Sequence, residues 1–390
     1  MKHEKGYEKL THVESKPINY RVHQQDFAQK LFLRMLTMYS LVYFEISGVC
    51  NGKCPWCQTA RLKPRGSFVD PAEFGLALDR LLHLKLIGPA TVINLFDWGE
   101  PFLHPDLNGV LRELSKRQIS FGLSTNASRF ISLDPAVVGN MRQLTFSLPG
   151  FSQASYDRIH GLSFDAVLET IDKQLHELSA NHFRGTIVVN YHVYQFNIGE
   201  LQLAARYFAK RKTCFRPNLA GLADLDLMMA YLTNGMDRDC LCAVSRDLLM
   251  YYLDGLLALK PAGYRCPQFD ILTIDEDFNA VTCCAVSKHH KEYAIGSLFE
   301  LSAEEIMVQK TSRSMCEACL ASGAAFWVNS SYVPDFVKEL TRSEFTLPPG
   351  LRRLVPSGLR AALRRAFPRK SSLYLDGDAT FYVEKRQVKP

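Results

Sequence analysis

The sequence lacks any apolar run long enough to cross a bilayer. Its most apolar early stretch, Leu31 to Ile46, is interrupted by Arg34, and a spanning helix needs about 20 consecutive apolar residues. The N-terminus, Met-Lys-His-Glu-Lys-Gly-Tyr-Glu-Lys, has neither an apolar h-region nor a small-residue cleavage site, so no secretory signal is expected. Acidic residues are missing from Leu351 to Lys370, which carries seven Arg and Lys. The net charge of +6 therefore belongs to that segment, and the rest of the chain is close to neutral. Nucleic-acid binding gains no support from such a body. Eleven cysteines without a secretory signal point to a reducing compartment, with the cytoplasm as the expected location, and to metal binding in place of a disulfide scaffold.

What is present is a chain of 390 residues, 47% hydrophobic and 22% charged, long enough for a large core or for two domains. From Leu41 short apolar runs alternate with helical periods, the signature of βα units on a parallel sheet. Strands are expected at 41–46, 91–96, 119–124, 144–148, 186–193 and 214–219. Helices are expected at 25–38, 70–86, 105–116, 165–179 and 198–210, with a short one near Pro135. Asp70-Pro71-Ala72-Glu73 supplies an N-cap, a proline at the first helical position and a glutamate at the third. Six such units make an incomplete barrel, and ligands of such sheets bind at the carboxyl ends of the strands.

The most informative stretch follows the first strand. Cys50, Cys54 and Cys57 stand in the spacing C-x3-C-x2-C on one short loop. Three soft thiolates can hold three corners of a cubane iron–sulfur cluster. No fourth ligand is nearby, so one iron would stay open to a small molecule. A zinc site, which prefers paired C-x2-C units and a closed fourth position, and three unrelated thiols are the alternatives.

This loop, with Trp56 just before the third cysteine, resembles the radical S-adenosyl-L-methionine (SAM) superfamily. The resemblance implies a 4Fe–4S cluster held by the three cysteines and by SAM. It also implies a partial (β/α)6 barrel of the TIM type, and reductive cleavage of SAM to a 5′-deoxyadenosyl radical that abstracts hydrogen from a substrate. A reductant of the flavodoxin or ferredoxin type would supply the electron. Asp97-Trp98-Gly99-Glu100-Pro101 resembles the family's Gly-Gly-Glu motif, with Glu100 placed to accept from the SAM amine and Gly99 allowing close backbone approach. Ser124 and Asn126 suit a ribose. Ser147-Leu148-Pro149-Gly150 resembles Ser-Leu-Asp-Gly with proline in place of the acid, and His160 stands where the family has an arginine, with Arg158 nearby. Asn190 and His192, at the end of the fifth strand, are candidates for SAM or substrate contact, or are satisfied sheet-end residues.

A second cysteine set lies beyond the barrel. Cys266 precedes a strand-like run at 271–274, a hairpin leads to Cys283 and Cys284, and Cys316 and Cys319 form a C-x2-C pair. A hairpin and a C-x2-C turn can make a four-thiolate site for zinc or a cluster. The set resembles the shortened auxiliary-cluster domain called twitch, a reduced SPASM domain, in a small α+β unit. Phe278 takes the place of that domain's glycine, which makes Cys283 the preferred ligand over Cys284. One auxiliary 4Fe–4S cluster, on Cys266, Cys283, Cys316 and Cys319, is implied. Cys214, Cys240, Cys242 and Cys284 remain. Most read as buried small residues, while Cys240 or Cys242 could give a hydrogen atom to a substrate radical. His289 and His290 read as solvated loop residues.

The expected organisation is an N-terminal extension (1–40), the barrel (41–230), the auxiliary domain (231–330) and a helical C-terminal extension (331–390). The last contains a basic amphipathic segment, Leu351 to Phe367, that docks on the protein by its apolar face or, alternatively, lies on an anionic membrane or holds a polyanion. An enzyme that oxidises or epimerises a small polar or glycan substrate is the preferred reading, because no peptide-binding module precedes the barrel. A peptide-modifying maturase is the alternative within the family, and an electron-transfer or zinc-binding interaction protein the alternative outside it.

Overall fold

The computed structural model describes residues 39–62 and 66–329. The helix expected at 25–38 and the basic segment 351–367 lie outside the described residues. The first half runs β1 (Leu41–Phe44), α1 (Gln58–Leu62), α2 (Pro71–His83), β2 (Val92–Asn94), α3 (Leu107–Lys116), β3 (Ser120–Thr125), α4 (Pro135–Val138) and β4 (Met141–Leu148). It continues with α5 (Gln153–Arg158), α6 (Phe164–Ala180), β5 (Thr186–Val193), α7 (Leu201–Ala209) and β6 (Cys214–Leu219). These six strands are parallel and adjacent in chain order, β1 to β6. The six expected βα units are present, with boundaries shifted by a few residues.

The elements form for local reasons and are held by burial. Val42 and Phe44 of β1 are fully buried, while Leu41 and Tyr43, on the other face, are partly exposed. Asp70 caps α2 as its sequence suggests, accepting from the N–H groups of Ala72 at 2.8 Å and Glu73 at 3.1 Å. Such a cap contributes about 1 kcal/mol. Asp106 does the same for α3 through Gly109, 2.8 Å away. Phe74, Ala77, Leu78 and Leu81 on α2 and Val110, Leu111 and Leu114 on α3 recur at helical spacing and are all buried.

The second half differs more from expectation. α8 (Leu225–Leu232), α9 (Arg238–Asp247) and α10 (Met250–Leu257) occupy what reads in sequence as a linking stretch. Asp224 and Asp237 cap the first two, and Leu225, Met228 and Tyr231 form a buried face of α8. Then come β7 (Ile271–Ile274), β8 (Asn279–Val281), β9 (Ala294–Ser297), α11 (Ala303–Thr311), α12 (Ser314–Ser322) and α13 (Ala324–Asn329). β7 does not stand apart from the barrel. It pairs in parallel with β1, Leu41 opposite Ile271 through Phe44 opposite Ile274, so one nine-stranded sheet runs in the order β6-β5-β4-β3-β2-β1-β7-β8-β9. β8 and β9 continue it antiparallel. The free edge of β1 is thereby covered, and the segment carrying the second cysteine set is hydrogen-bonded to the strand that leads to the first.

Candidate functional site

The site is built where the strands end. The chain leaves β1 through Glu45, which is buried and reaches across to the turn after β2. Its Oε2 accepts from the N–H groups of Trp98 and Gly99, the latter at 2.9 Å. Gly99 is required from the other side as well, because a Cβ there would stand 1.6 Å from the Ser47 carbonyl oxygen. The Glu100 N–H closes the unit by donating to the Val49 carbonyl at 2.8 Å. Burial pushes the Glu45 carboxyl up to about 7, with the two amide hydrogen bonds acting in the opposite direction.

Cys50, Cys54 and Cys57 follow, all half-buried. The Gly52 N–H donates to Cys50 Sγ at 3.4 Å, and a Cβ on Gly52 would lie 3.5 Å from Cys50 Sγ and 3.6 Å from Cys54 Sγ. The open side of one glycine thus faces two of the thiols. Burial pushes Cys50 up to about 12 and raises Cys54 and Cys57 as well; coordination reverses this, since a metal-bound thiol is deprotonated outright. One tetrahedral ion would need sulfurs roughly 3.8 Å apart, given a metal–sulfur bond of about 2.3 Å. Among the described residues no group of three or more Cys, His, Asp or Glu is arranged around a single ion. By ligand type, three soft thiolate donors on one short loop fit three corners of a cluster. On the segments that carry or touch this loop, buried polar atoms without partners include Glu45 Oε1, Trp56 Nε1, Trp98 Nε1 and His160 Nδ1. These are the groups a polar ligand would satisfy.

The other residues singled out by sequence surround this loop in different ways. Glu100 is 3% exposed and already engaged: Oε1 accepts from Phe102 N–H at 2.9 Å and Oε2 from Asn126 N–H at 2.7 Å. Burial holds it near 7. Asn126 donates from Nδ2 to Asn51 Oδ1 at 2.9 Å, tying the end of β3 to the cysteine loop. Ser124 is half-buried on β3. Lys53 N–H donates to the His160 carbonyl at 3.0 Å, so the segment that departs from the family pattern lies against the loop; burial lowers the His160 imidazole to about 3. Arg158 instead pairs with Asp247 and places its guanidinium 4.4 Å from the Phe196 ring centroid. Ser147 Oγ lies 3.1 Å from His192 Nε2, and Asn190 bridges His192 and Asn218, giving a polar row across β4, β5 and β6. Cys240 sits in the first turn of α9, half-buried, where burial and then Asp237 raise its thiol against the opposing Arg61 charge, and Cys242 packs against the core. Neither joins that polar row.

The second cysteine set comes together around β7 and β8. Cys266 opens the turn before β7, Cys283 follows β8, and Cys316 and Cys319 lie one turn apart on α12. Burial raises the Cys319 thiol, and the charges of Cys283, Cys266 and Cys316 add to it in that order. Cys283 and Cys266 likewise act on Cys316. Cys284, next in the chain, acts on Tyr43 of β1 and also lies within electrostatic reach of Cys283 and Cys266. Phe278, in the glycine's place, has φ +62° and is held there by ring contacts with Phe44 at 6.0 Å and Phe299 at 5.4 Å. The two sets are neighbours. Lys288 N–H donates to Gln58 Oε1 at 3.2 Å, one residue past Cys57, and the chain between them is joined by Ala223 N–H to Trp56 O and Leu225 N–H to Ala285 O. Asp97, after β2, acts on Cys57 from one side and on Cys283 and Cys284 from the other. Sequence reasoning passed over Glu45, Asp97, Asn218 and the Glu276–Lys288 ion pair. Only Glu45, an acid directly after a strand and before the loop, carried a signal in the sequence.

Compared with protein families, residues 44–193 match the radical SAM superfamily. This segment is similar to a radical SAM domain. It spans the cysteine loop, the Trp98-Gly99-Glu100 turn and β5. No curated protein sequence matches the chain. Among solved structures the chain is similar to Streptococcus suis SuiB bound to precursor peptide SuiA, with 14% identity, 76% of this chain and 73% of that chain covered, and TM-score 0.47. It is also similar to native anSMEcpe with bound AdoMet (13%, 77% and 94%, TM-score 0.46) and to BtrN in complex with AdoMet and 2-DOIA (15%, 75% and 92%, TM-score 0.38). The match supports catalysis with SAM and an iron–sulfur cluster. No helix among the described residues is long and apolar enough to cross a membrane.

Proposed function

We propose that this protein is a radical SAM enzyme with two 4Fe–4S clusters. Cys50, Cys54 and Cys57 would hold the first, with SAM at its open iron, and Cys266, Cys283, Cys316 and Cys319 the auxiliary one. When bound, the first cluster and SAM supply hydrogen-atom abstraction from an unactivated C–H position. The residues of the chain do the rest. Glu45 and Gly99 lock the cysteine loop to the β2 turn. Glu100 braces that turn against β3, and its remaining lone pairs are available to an ammonium group. The polar row of Ser147, Asn190, His192 and Asn218 offers hydrogen bonds at the strand ends. The observation that carries the two-cluster reading is the pairing of β1 with β7, which sets the second cysteine set beside the first. An auxiliary cluster so placed suits oxidation of a small polar or glycan substrate, because an electron left on the substrate would have a nearby acceptor. Epimerisation is the outcome if a thiol returns hydrogen instead. The residue ranges 41–230 and 231–330 are then functional units on one continuous sheet.

Anaerobic reconstitution tests this directly. About eight iron per chain are expected, as two cubanes require, and replacement of Cys50, Cys54 and Cys57 by alanine halves the iron and abolishes SAM cleavage. One zinc with four iron would overturn the auxiliary cluster and leave the first intact.

A further inference from the structure

Lys310 is a buried lysine with no carboxylate partner among the described residues. It lies on α11, is 1% exposed, and makes one hydrogen bond, from Nζ to the Thr282 carbonyl at 2.7 Å. Thr282 immediately precedes Cys283. An ammonium has three donors, so two are left, and no acidic side chain among the described residues pairs with it. Burial lowers its pKa, and the groups that act in the opposite direction when ionised are the thiols of Cys283, Cys284, Cys316 and Cys266. A buried charge is costly unless paired, and a methionine would fill the same space without that cost. An ammonium at this position is stable only with a counterpart, and the surrounding groups able to supply one are thiols.

We propose that Lys310 is the fixed counter-charge of the auxiliary cluster and raises its reduction potential. The inference rests on the two-cluster reading. A site of four thiolates is anionic, and one-electron reduction adds a further negative charge without a proton. A cation held in a water-poor surrounding stabilises the reduced state more than the oxidised state. The effect is that of a positioning residue acting on the potential, and it favours acceptance of one electron.

The test is a redox titration of the full-length, anaerobically reconstituted protein with dithionite and mediators, followed by electron paramagnetic resonance. SAM is added to mark the first cluster by its altered signal. In Lys310→Met, iron is expected to stay at the wild-type level. The SAM-insensitive signal should shift to lower potential by at least a tenfold change in the ratio of oxidised to reduced cluster at fixed poise, about 59 mV for one electron. Lys310→Arg, which keeps the charge, should stay near wild type. Full iron with an unshifted SAM-insensitive signal overturns the proposal while sparing the auxiliary cluster. Loss of auxiliary iron in Lys310→Met alone supports a counter-charge, whereas loss in both variants means a packing role and overturns it. A wild-type protein with only four iron removes the cluster reading and the inference together.

Discussion

Two buried glutamates beside the cysteine loop should respond in opposite ways to the same substitution. Glu45 uses one oxygen, Oε2, to accept from both Trp98 and Gly99, and leaves Oε1 without a partner. Glutamine can keep the double acceptor and put its amide nitrogen in the unused position. Glu100 uses both oxygens, Oε1 for Phe102 and Oε2 for Asn126. Glutamine there can satisfy only one of the two amides and turns a donor against the other. A buried donor left unpaired costs about 1–3 kcal/mol, so Glu100→Gln should destabilise by that amount at pH 5, below the raised Glu100 carboxyl. Glu45 adds a pH signature. Its carboxyl is raised from 4.5 to about 7, so the folded protein keeps a proton that the unfolded chain releases. The stability contributed is complete below 4.5 and is lost as pH rises through 7, by about 3 kcal/mol at most. In iron-free protein the urea midpoint should fall between pH 5 and pH 8. Glu45→Gln should flatten that fall and exceed wild type at pH 8; some slope remains, because Glu100 is raised in the same way. Equal behaviour of the two variants in urea titrations at both pH values would refute the hydrogen-bond assignment.

Two further outcomes follow from the geometry. Gly99→Ala places a methyl 1.6 Å from the Ser47 carbonyl, so the β2 turn and the cysteine loop must separate; SAM binding, measured calorimetrically on reconstituted protein, should be lost although circular dichroism stays near wild type. Cys316→Ala/Cys319→Ala should still form 5′-deoxyadenosine from SAM with strong reductant while substrate conversion collapses. A folded double variant with normal conversion would assign the auxiliary site a structural role at most.

The sequence determined the βα order, because each strand and helix carries its own period and cap, as in Asp70-Pro71 before α2. It also determined the cysteine loop, where three thiols and a strand lie within one short segment. The clustering of polar residues at strand ends was legible for the same reason, since it depends only on position along each unit. What tertiary structure alone decided involves partners distant in the chain. The pairing of β1 with β7 joins residues 41–44 to 271–274, and no local pattern specifies which edge an apolar strand will cover. The duties of Glu100 depend on where the Phe102 and Asn126 amides point. Arg158 is engaged by Asp247, 89 residues away. Lys310 reads in sequence as an ordinary helical lysine, and only packing of α11 against the Thr282 carbonyl buries it beside the thiols. Local periodicity records what each segment is, whereas burial and charge pairing are properties of segments brought together.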